Sequence, residues 1–271
     1  MTDIPYRLCA IDLDDTLLDA SHALTERSLA AVQKVRSMGA TVVIASGRMH
    51  AATLHYAQQL ALDTPIISYN GAMVRYAGTG ETLLEEHVEA GLAAEIRDYA
   101  RQNSLQLNYY LHDMLYSEAY TSWLKLYHDR TDAPIEILPD FEAKLQNTTP
   151  TKLVIVDSPE KVNALLPLMQ ERYGKQSYVT RSNAEYLEFM PPNADKGKAL
   201  ALVAAKYNIS AAQTLAFGDS WNDIPMLQWA GLGIAVANAK PEVRQAADRT
   251  VQSNIEDGVA RALADIFKFQ A

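Results

Sequence analysis

Three acids within four positions, Asp12, Asp14 and Asp15, end the apolar run Leu8-Cys9-Ala10-Ile11. Such a run reads as a buried strand, and in open α/β sheets ligands gather at the carboxyl edge where the strand stops. Asp12 and Asp14 lie two apart, so at strand periodicity their side chains leave one face and can share a metal ion or a phosphate. Taken alone, the group also reads as a solvated turn, which Asp favours. A second apolar run, Leu215-Ala216-Phe217-Gly218, ends in Asp219-Ser220-Trp221-Asn222-Asp223. Two such ends in one sheet bring four or five carboxylates together. They repel one another unless a cation is present, and hard oxygen donors with open water positions suit magnesium. The alternative at this second end is an Asx turn with Asp219 as a helix cap.

Between these acids, Thr41-Val42-Val43-Ile44-Ala45 runs into Ser46-Gly47-Arg48 and then a helical stretch. A hydroxyl and a glycine amide at a helix start make an anion seat of the kind that holds phosphate. Further on, Asn193-Ala194-Asp195-Lys196-Gly197 puts a lysine at the start of a helix, where the macrodipole disfavours a cation. An anion nearby accounts for it; the competing reading is an exposed surface lysine.

The elements around these residues form a β-α-β-α-β rhythm: strand Tyr6 to Asp12, a helix from Thr25 to Met38, strand Ala40 to Ala45, a helix from about Met49 to Ala61, and strand Pro65 to Tyr69. Thr25 can cap the first helix and Gly39 can end it. Uniformly apolar strands predict a parallel sheet covered by helices on both faces. Residues 72–86 read as a hairpin around Gly78-Thr79-Gly80. From about Val88 to Met190 the pattern becomes mixed, with nine of the chain's 14 Tyr between residues 91 and 190, as suits half-buried antiparallel strands. After Pro191-Pro192 the first rhythm returns, with a helix from Lys196 to Lys206, strand Thr214 to Gly218, a helix from Asp223 to Ala230, strand Gly233 to Val236 and two closing helices. The expected organisation is an α/β core of residues 1–86 and 191–271 with an α+β insert of residues 87–190, hinged near Glu86 to Val88 and Met190 to Asn193.

Composition limits the partners. The chain has 271 residues, 48% hydrophobic and 21% charged, enough to bury a large core. Its formal net charge of −9 argues against nucleic acid and anionic membrane as partners. Cys9 is the single cysteine, which excludes an intrachain disulfide and fits a reducing compartment. Met1-Thr2-Asp3-Ile4-Pro5 lacks the basic start of a signal peptide, and no window reaches the roughly 20 apolar residues of a membrane span. A cytoplasmic protein is expected.

Taken in order, Asp12-Leu13-Asp14-Asp15-Thr16-Leu17, Ser46-Gly47-Arg48, Lys196-Gly197 and Gly218-Asp219-Ser220-Trp221-Asn222-Asp223 resemble the four signature motifs of the haloacid dehalogenase superfamily of phosphohydrolases. The insert between the second and third motifs, with Tyr69-Asn70-Gly71-Ala72, resembles the Cof-type sugar-phosphate phosphatases that carry a large α/β cap. The match spans nearly the whole chain. Asp15 departs from the pattern, since many relatives have Gly there; Asp tolerates left-handed backbone better than most residues.

The resemblance implies a Rossmann-like α/β core with an inserted cap. It makes Asp12 the nucleophile and Asp14 the acid/base. Magnesium is then held by Asp12, the main-chain carbonyl of Asp14 and Asp219, with Asp223 in support. The phosphoryl group is held by Ser46, the amides of Leu13 and Gly47, Lys196 and Asn222. Asn70, Arg48, Arg181 and Tyr109 are candidate readers of the leaving group, while Tyr120, Trp123 and Tyr127 read as insert core or a dimer patch. The six His show no metal spacing. The main expectation is a magnesium-dependent phosphatase of small phosphorylated metabolites, monomer or homodimer; a phosphomutase and a phosphate-ligand sensor are the alternatives.

Overall fold

A computed structural model describes residues 4–131 and 133–270. Residues 1–3, part of the N-terminal stretch read for a leader, lie outside the described residues. The chain divides into two compact units, one of residues 1–84 and 195–271 and one of residues 85–194.

The first unit opens with β1 (Leu8–Ile11), α1 (Glu26–Ser37), β2 (Thr41–Ile44), α2 (Leu54–Gln59), β3 (Pro65–Ser68), β4 (Met73–Tyr76) and β5 (Thr82–Glu85). Helix α1 starts where its sequence says it should, with the Thr25 hydroxyl accepting the Ser28 N–H at 3.0 Å, and Gly39 at φ +103° leads the chain out. Strands β1 and β2 pair in parallel. The third strand does not extend that sheet as expected. It touches β2 through one parallel bridge, Ala45 to Ile67, and pairs antiparallel with β4 instead. The reason is local: Pro65 has no N–H to give, and the Thr64 hydroxyl takes the Val42 carbonyl at 2.6 Å in place of a ladder bond. The predicted 49–61 helix is also shorter, a tight turn over Ala51–Thr53 followed by α2.

The second unit contains α3 (Ala90–Gln102), β6 (Gln106–Leu111), β7 (Met114–Ser117), α4 (Ser122–Thr131), β8 (Ile135–Ile137), α5 (Phe141–Lys144), β9 (Lys152–Val156), α6 (Pro159–Tyr173), β10 (Tyr178–Thr180) and β11 (Tyr186–Met190). Its six-stranded sheet has the order β10-β11-β9-β6-β7-β8, antiparallel except for β7 with β8. Alternate residues of β6, β9 and β11, among them Leu107, Tyr109, Leu153, Ile155, Leu187 and Phe189, join α3 and α6 in a core of its own. Strand β8 and helix α5 were not anticipated. Only three and four residues long, they carry too little periodic pattern to be read from sequence.

The chain then returns to the first unit with α7 (Lys196–Lys206), β12 (Thr214–Gly218), α8 (Ile224–Trp229), β13 (Leu232–Val236), α9 (Pro241–Ala246), β14 (Arg249–Val251) and α10 (Gly258–Phe267). The main sheet is parallel, with order β14-β13-β12-β1-β2. The edge strand β14 was also missed, because Arg249 and Thr250 are exposed and the run is three residues long. From β1 the chain winds one way through β2, and after the second unit it winds the other way from β12. Right-handed crossovers in opposite directions put their helices on opposite faces, so the sheet is covered on both sides. Helix α1 packs on α10, and α7 on α8. The fold is the expected α/β parallel core with an additional sheet unit inserted.

Candidate active site

The reversal of winding falls between β1 and β12, and the chemistry-bearing residues gather at the carboxyl ends of these strands and β2, as expected at such a switch point. Ile11 is in register with both Phe217 and Ile44. Just beyond, the Asp12 N–H donates to the Phe217 carbonyl at 3.1 Å, and the Ala45 N–H donates to the Ile11 carbonyl at 3.0 Å. The chain turns sharply after Asp12, the Leu18 N–H closing on the Leu13 carbonyl at 2.9 Å. Asp15 takes φ +57° in that turn, a left-handed backbone that Asp tolerates better than most residues. Asn238 donates to the Asp15 carbonyl at 2.7 Å and holds it there.

One carboxylate oxygen from each of Asp12, Asp219 and Asp223 lies within 4.8 Å of the others, and all three residues are buried. Lys196, fully buried, stands among them, its Nζ 2.7 Å from Asp12 Oδ1 and 2.5 Å from Asp223 Oδ1. The anion that accounts for a lysine at this helix start is therefore supplied by the chain's own carboxylates. Asp195 caps the same helix by accepting the Lys198 N–H at 2.8 Å. Asp223 Oδ2 accepts the N–H groups of Asp219 and Ser220, each at 3.0 Å, so this residue also shapes the loop it follows. The loop passes so close that a Cβ on Gly218 would stand 2.5 Å from the Asp223 Cβ, which leaves room only for glycine. Thr16 donates to Asp219 Oδ1 at 3.0 Å.

The electrostatics follow from packing acids together out of water. Burial, and then the charge of Asp223, push the Asp219 carboxyl up to about 7. The same two causes hold the Asp12 carboxyl well above the usual range. Burial alone would lower the Lys196 ammonium, but Asp12 and Asp223 hold it above its ordinary value. Three buried carboxylates against one ammonium leave an excess of negative charge, and their oxygens are hard donors. This set fits a small divalent cation such as magnesium.

Asp14 stands apart from that cluster. Arg48 grips both of its oxygens, Nε to Oδ2 at 2.8 Å and Nη2 to Oδ1 at 2.6 Å, and His22 Nδ1 lies 3.2 Å from Oδ1. Burial pushes the Asp14 carboxyl up, but the bonds and charges of Arg48 and His22 outweigh it and hold the group below its ordinary value. The Arg48 guanidinium in turn rests over the Tyr56 ring, 5.4 Å from its centroid.

The Ser46 hydroxyl accepts the Arg48 N–H at 3.1 Å, and the Ser46 N–H donates to Ile67 at 2.8 Å. Tyr69 and Asn70 both have positive φ, and this turn is stitched to the Ser46 loop by Tyr69 N–H to the Arg48 carbonyl at 2.8 Å and Asn70 N–H to the Ser46 carbonyl at 3.1 Å. Asn222 donates to Asn70 Oδ1 at 2.7 Å, joining the loop after β12 to the turn after β3. A Cβ on Gly47 would come within 2.7 Å of that same Asn70 oxygen. Leu13 has its side chain in the core, so only its main chain can face a ligand.

Two of the candidate readers lie in the second unit. Tyr109 is fully buried, its ring edge-on to Phe141 and its hydroxyl paired with Thr148 Oγ1 at 2.8 Å. Arg181 follows β10 and donates to Asn163 Oδ1. Tyr127 is buried and takes a hydrogen bond from the Tyr110 hydroxyl at 2.6 Å, whereas Tyr120 is exposed. Sequence reasoning gave no role to Thr16, His22 or Tyr56. Thr16 stood inside a quoted motif and could have been found there; the other two meet Asp14 and Arg48 only through loop geometry.

A family model described as haloacid dehalogenase-like hydrolase matches residues 9–263. Among solved structures, a haloacid dehalogenase-like hydrolase from Bacteroides thetaiotaomicron superposes with a TM-score of 0.89 at 27% identity, covering 97% of this chain and 100% of its own. A Thermotoga maritima protein superposes with a TM-score of 0.87 at 32% identity, covering 96% and 97%. Among curated proteins, the 5-amino-6-(5-phospho-D-ribitylamino)uracil phosphatase YitU of Bacillus subtilis is 29% identical over 97% of this chain and 98% of its own length.

Proposed function

This chain belongs to the haloacid dehalogenase-like hydrolase family and is a phosphatase of that family, and on that premise we propose that it hydrolyses small phosphomonoesters, sugar phosphates among them, with magnesium and through an aspartyl-phosphate intermediate. The observation that carries the reading is the pairing of two differently kept carboxylates. Asp12 sits in the buried acid cluster with Oδ1 on Lys196, and Asp14, two residues on, sits outside it on Arg48.

Asp12 is the nucleophile: one of its oxygens bonds to phosphorus as the bond from phosphorus to the substrate's leaving oxygen breaks. Asp14 gives that oxygen its proton, then takes a proton from the water that attacks the phosphorylated Asp12, so phosphate leaves and both carboxyl groups return to their starting state. Lys196, Ser46, the amides of Leu13 and Gly47, and Asn222 orient the phosphoryl oxygens. Asp12 and Asp219, with the Asp14 main-chain carbonyl and Asp223 in support, are the groups that would hold magnesium. There the ion supplies neutralisation of the charge gathered around the phosphoryl group. Positioning and charge neutralisation are the larger part of catalysis in phosphoryl transfer, which suits a site built from fixed ionic groups.

The YitU relative is named for a phosphorylated ribityl compound, which supports a small metabolite as substrate. Among the described residues no helix is long and apolar enough to cross a membrane, and Cys9 is a buried free thiol; both suit work in the cytoplasm. The test is phosphate release across sugar phosphates, nucleotides and pyridoxal phosphate, with magnesium or chelator, for wild type and Asp12→Asn. Magnesium-dependent release that vanishes in the variant is expected. Transfer of the phosphoryl group to an added sugar in place of water would identify a mutase, and ligand binding without turnover in either protein would identify a sensor.

A further inference from the structure

Asp14 is held from two sides, and only Arg48 belongs to the motifs that mark this site. The other holder, His22, reaches back from a loop that the chain ties down closely. Asp19 Oδ1 accepts the N–H groups of Ser21 at 2.8 Å and Ala23 at 3.0 Å, and the Asp19 carbonyl accepts the His22 N–H at 3.0 Å. His22 itself takes φ +58°, a left-handed backbone that costs a non-glycine residue on the order of 1 kcal/mol and persists only where the surroundings over-determine it. Here the surroundings include Tyr56, whose hydroxyl donates to the His22 carbonyl at 2.9 Å while its ring lies under the Arg48 guanidinium. One buried tyrosine thus braces both groups that hold Asp14.

We propose that His22 is a positioning residue for Asp14: its Nδ1, 3.2 Å from Asp14 Oδ1, keeps the acid/base carboxyl aimed when Arg48 shares its grip with an arriving phosphoryl group. The inference rests on the phosphatase reading above. Its consequence is selective. As the Asp12–phosphorus bond forms and the phosphorus–oxygen bond breaks, the Asp14 proton passes to the departing oxygen. An alkoxide needs that proton in full, whereas p-nitrophenolate is stable enough to leave with little help. Misaiming Asp14 therefore harms alkyl phosphates far more than aryl phosphates.

The experiment compares kcat/KM for glycerol 2-phosphate and p-nitrophenyl phosphate, because kcat/KM covers only the steps through formation of the phosphorylated enzyme. His22→Gly keeps the left-handed backbone and removes the imidazole; His22→Asn also tolerates that backbone and returns a donor near the place of Nδ1. In His22→Gly, kcat/KM for glycerol 2-phosphate is expected to fall roughly 10- to 100-fold and that for p-nitrophenyl phosphate by less than about threefold, with most of the loss recovered in His22→Asn. Tyr56→Phe, which removes the brace and leaves the ring under Arg48, shifts the ratio the same way by less. Equal losses on both substrates, or no loss on either, overturn the proposal while wild-type activity and its absence in Asp12→Asn leave the phosphatase reading standing. Wild-type protein that releases phosphate from neither substrate overturns both.

Discussion

Arg48 stores Asp14 as a carboxylate, with both oxygens occupied and one of them only 2.6 Å from the guanidinium. A group kept that way is a ready base and a poor acid. In the proposed reaction Asp14 must be released from that grip before it can protonate a leaving oxygen, and an incoming phosphate dianion competes for the same guanidinium.

If Arg48 divides its attention in this way, it contributes to binding phosphate itself. Arg48→Gln is expected to raise the inhibition constant of inorganic phosphate about tenfold, equivalent to about 1.4 kcal/mol, the size of one charge-assisted hydrogen bond. An unchanged constant would mean that Arg48 stays on Asp14 throughout the cycle.

Lys196 is the internal counter-ion of the acid cluster, and removing it strands Asp12 and Asp223 in a buried site. Lys196→Met is expected to cost about 3–5 kcal/mol in chelator, the range for breaking a buried ion pair, and to lower the melting temperature on the order of 10 °C. Magnesium should restore part of that loss in the variant. Melting curves with and without the ion decide it; equal melting of variant and wild type in chelator would show that Lys196 carries none of this charge.

His50 is buried, and burial followed by the charge of Arg75 lowers its imidazole to about 4. The unfolded chain takes up the proton near pH 6.5, before the folded chain does, so stability present above pH 6.5 drains away as pH falls toward 4. His50→Gln should melt with a shallower acid dependence across that window, the difference amounting to on the order of 2 kcal/mol by pH 4. Parallel curves for the two proteins would show that His50 charges freely in the fold.

In the second unit, Lys152 on β9 and Glu188 on β11 form a buried pair at 2.7 Å, joined by the Ser182 hydroxyl. Burial alone would lower the Lys152 ammonium, but the Glu188 charge keeps it raised. Lys152→Met alone should cost about 3–5 kcal/mol, and Lys152→Met with Glu188→Leu much less, since the second change removes the stranded charge. Chemical denaturation of the three proteins measures the difference, and additive losses would count against an isolated pair.

The strand ends that carry Asp12, Ser46 and Asp219 were legible because apolar runs that stop in polar residues are a local pattern, as strands buried on two faces produce. The α/β core and its inserted unit followed from the same runs. What stayed hidden depends on contacts between residues far apart in the chain. Lys196 sits 184 positions from Asp12, so its partner could be guessed only as some anion. Tyr109 looked like any strand tyrosine until Phe141 and Thr148 closed around it. Strand β3 left the parallel sheet because of a proline and a threonine at its start, a detail that periodicity ignores. His22 came to Asp14 through a left-handed turn that no spacing rule anticipates.

The interruption of the first unit by residues 85–194 also orders events during synthesis. A growing chain delivers β1 and Asp12 early, yet the neighbour that completes them, β12, is made some two hundred residues later; the bond from Thr16 to Asp219 spans 203 positions. Until then one edge of β1 has no partner, and an unpaired apolar edge is where chains aggregate. The intervening unit, with its own core, can fold while the first half waits. A truncated chain that ends before β12 therefore holds Asp12 and Lys196 without Asp219 or Asp223, so premature termination leaves the acid cluster unbuilt and an apolar strand edge open.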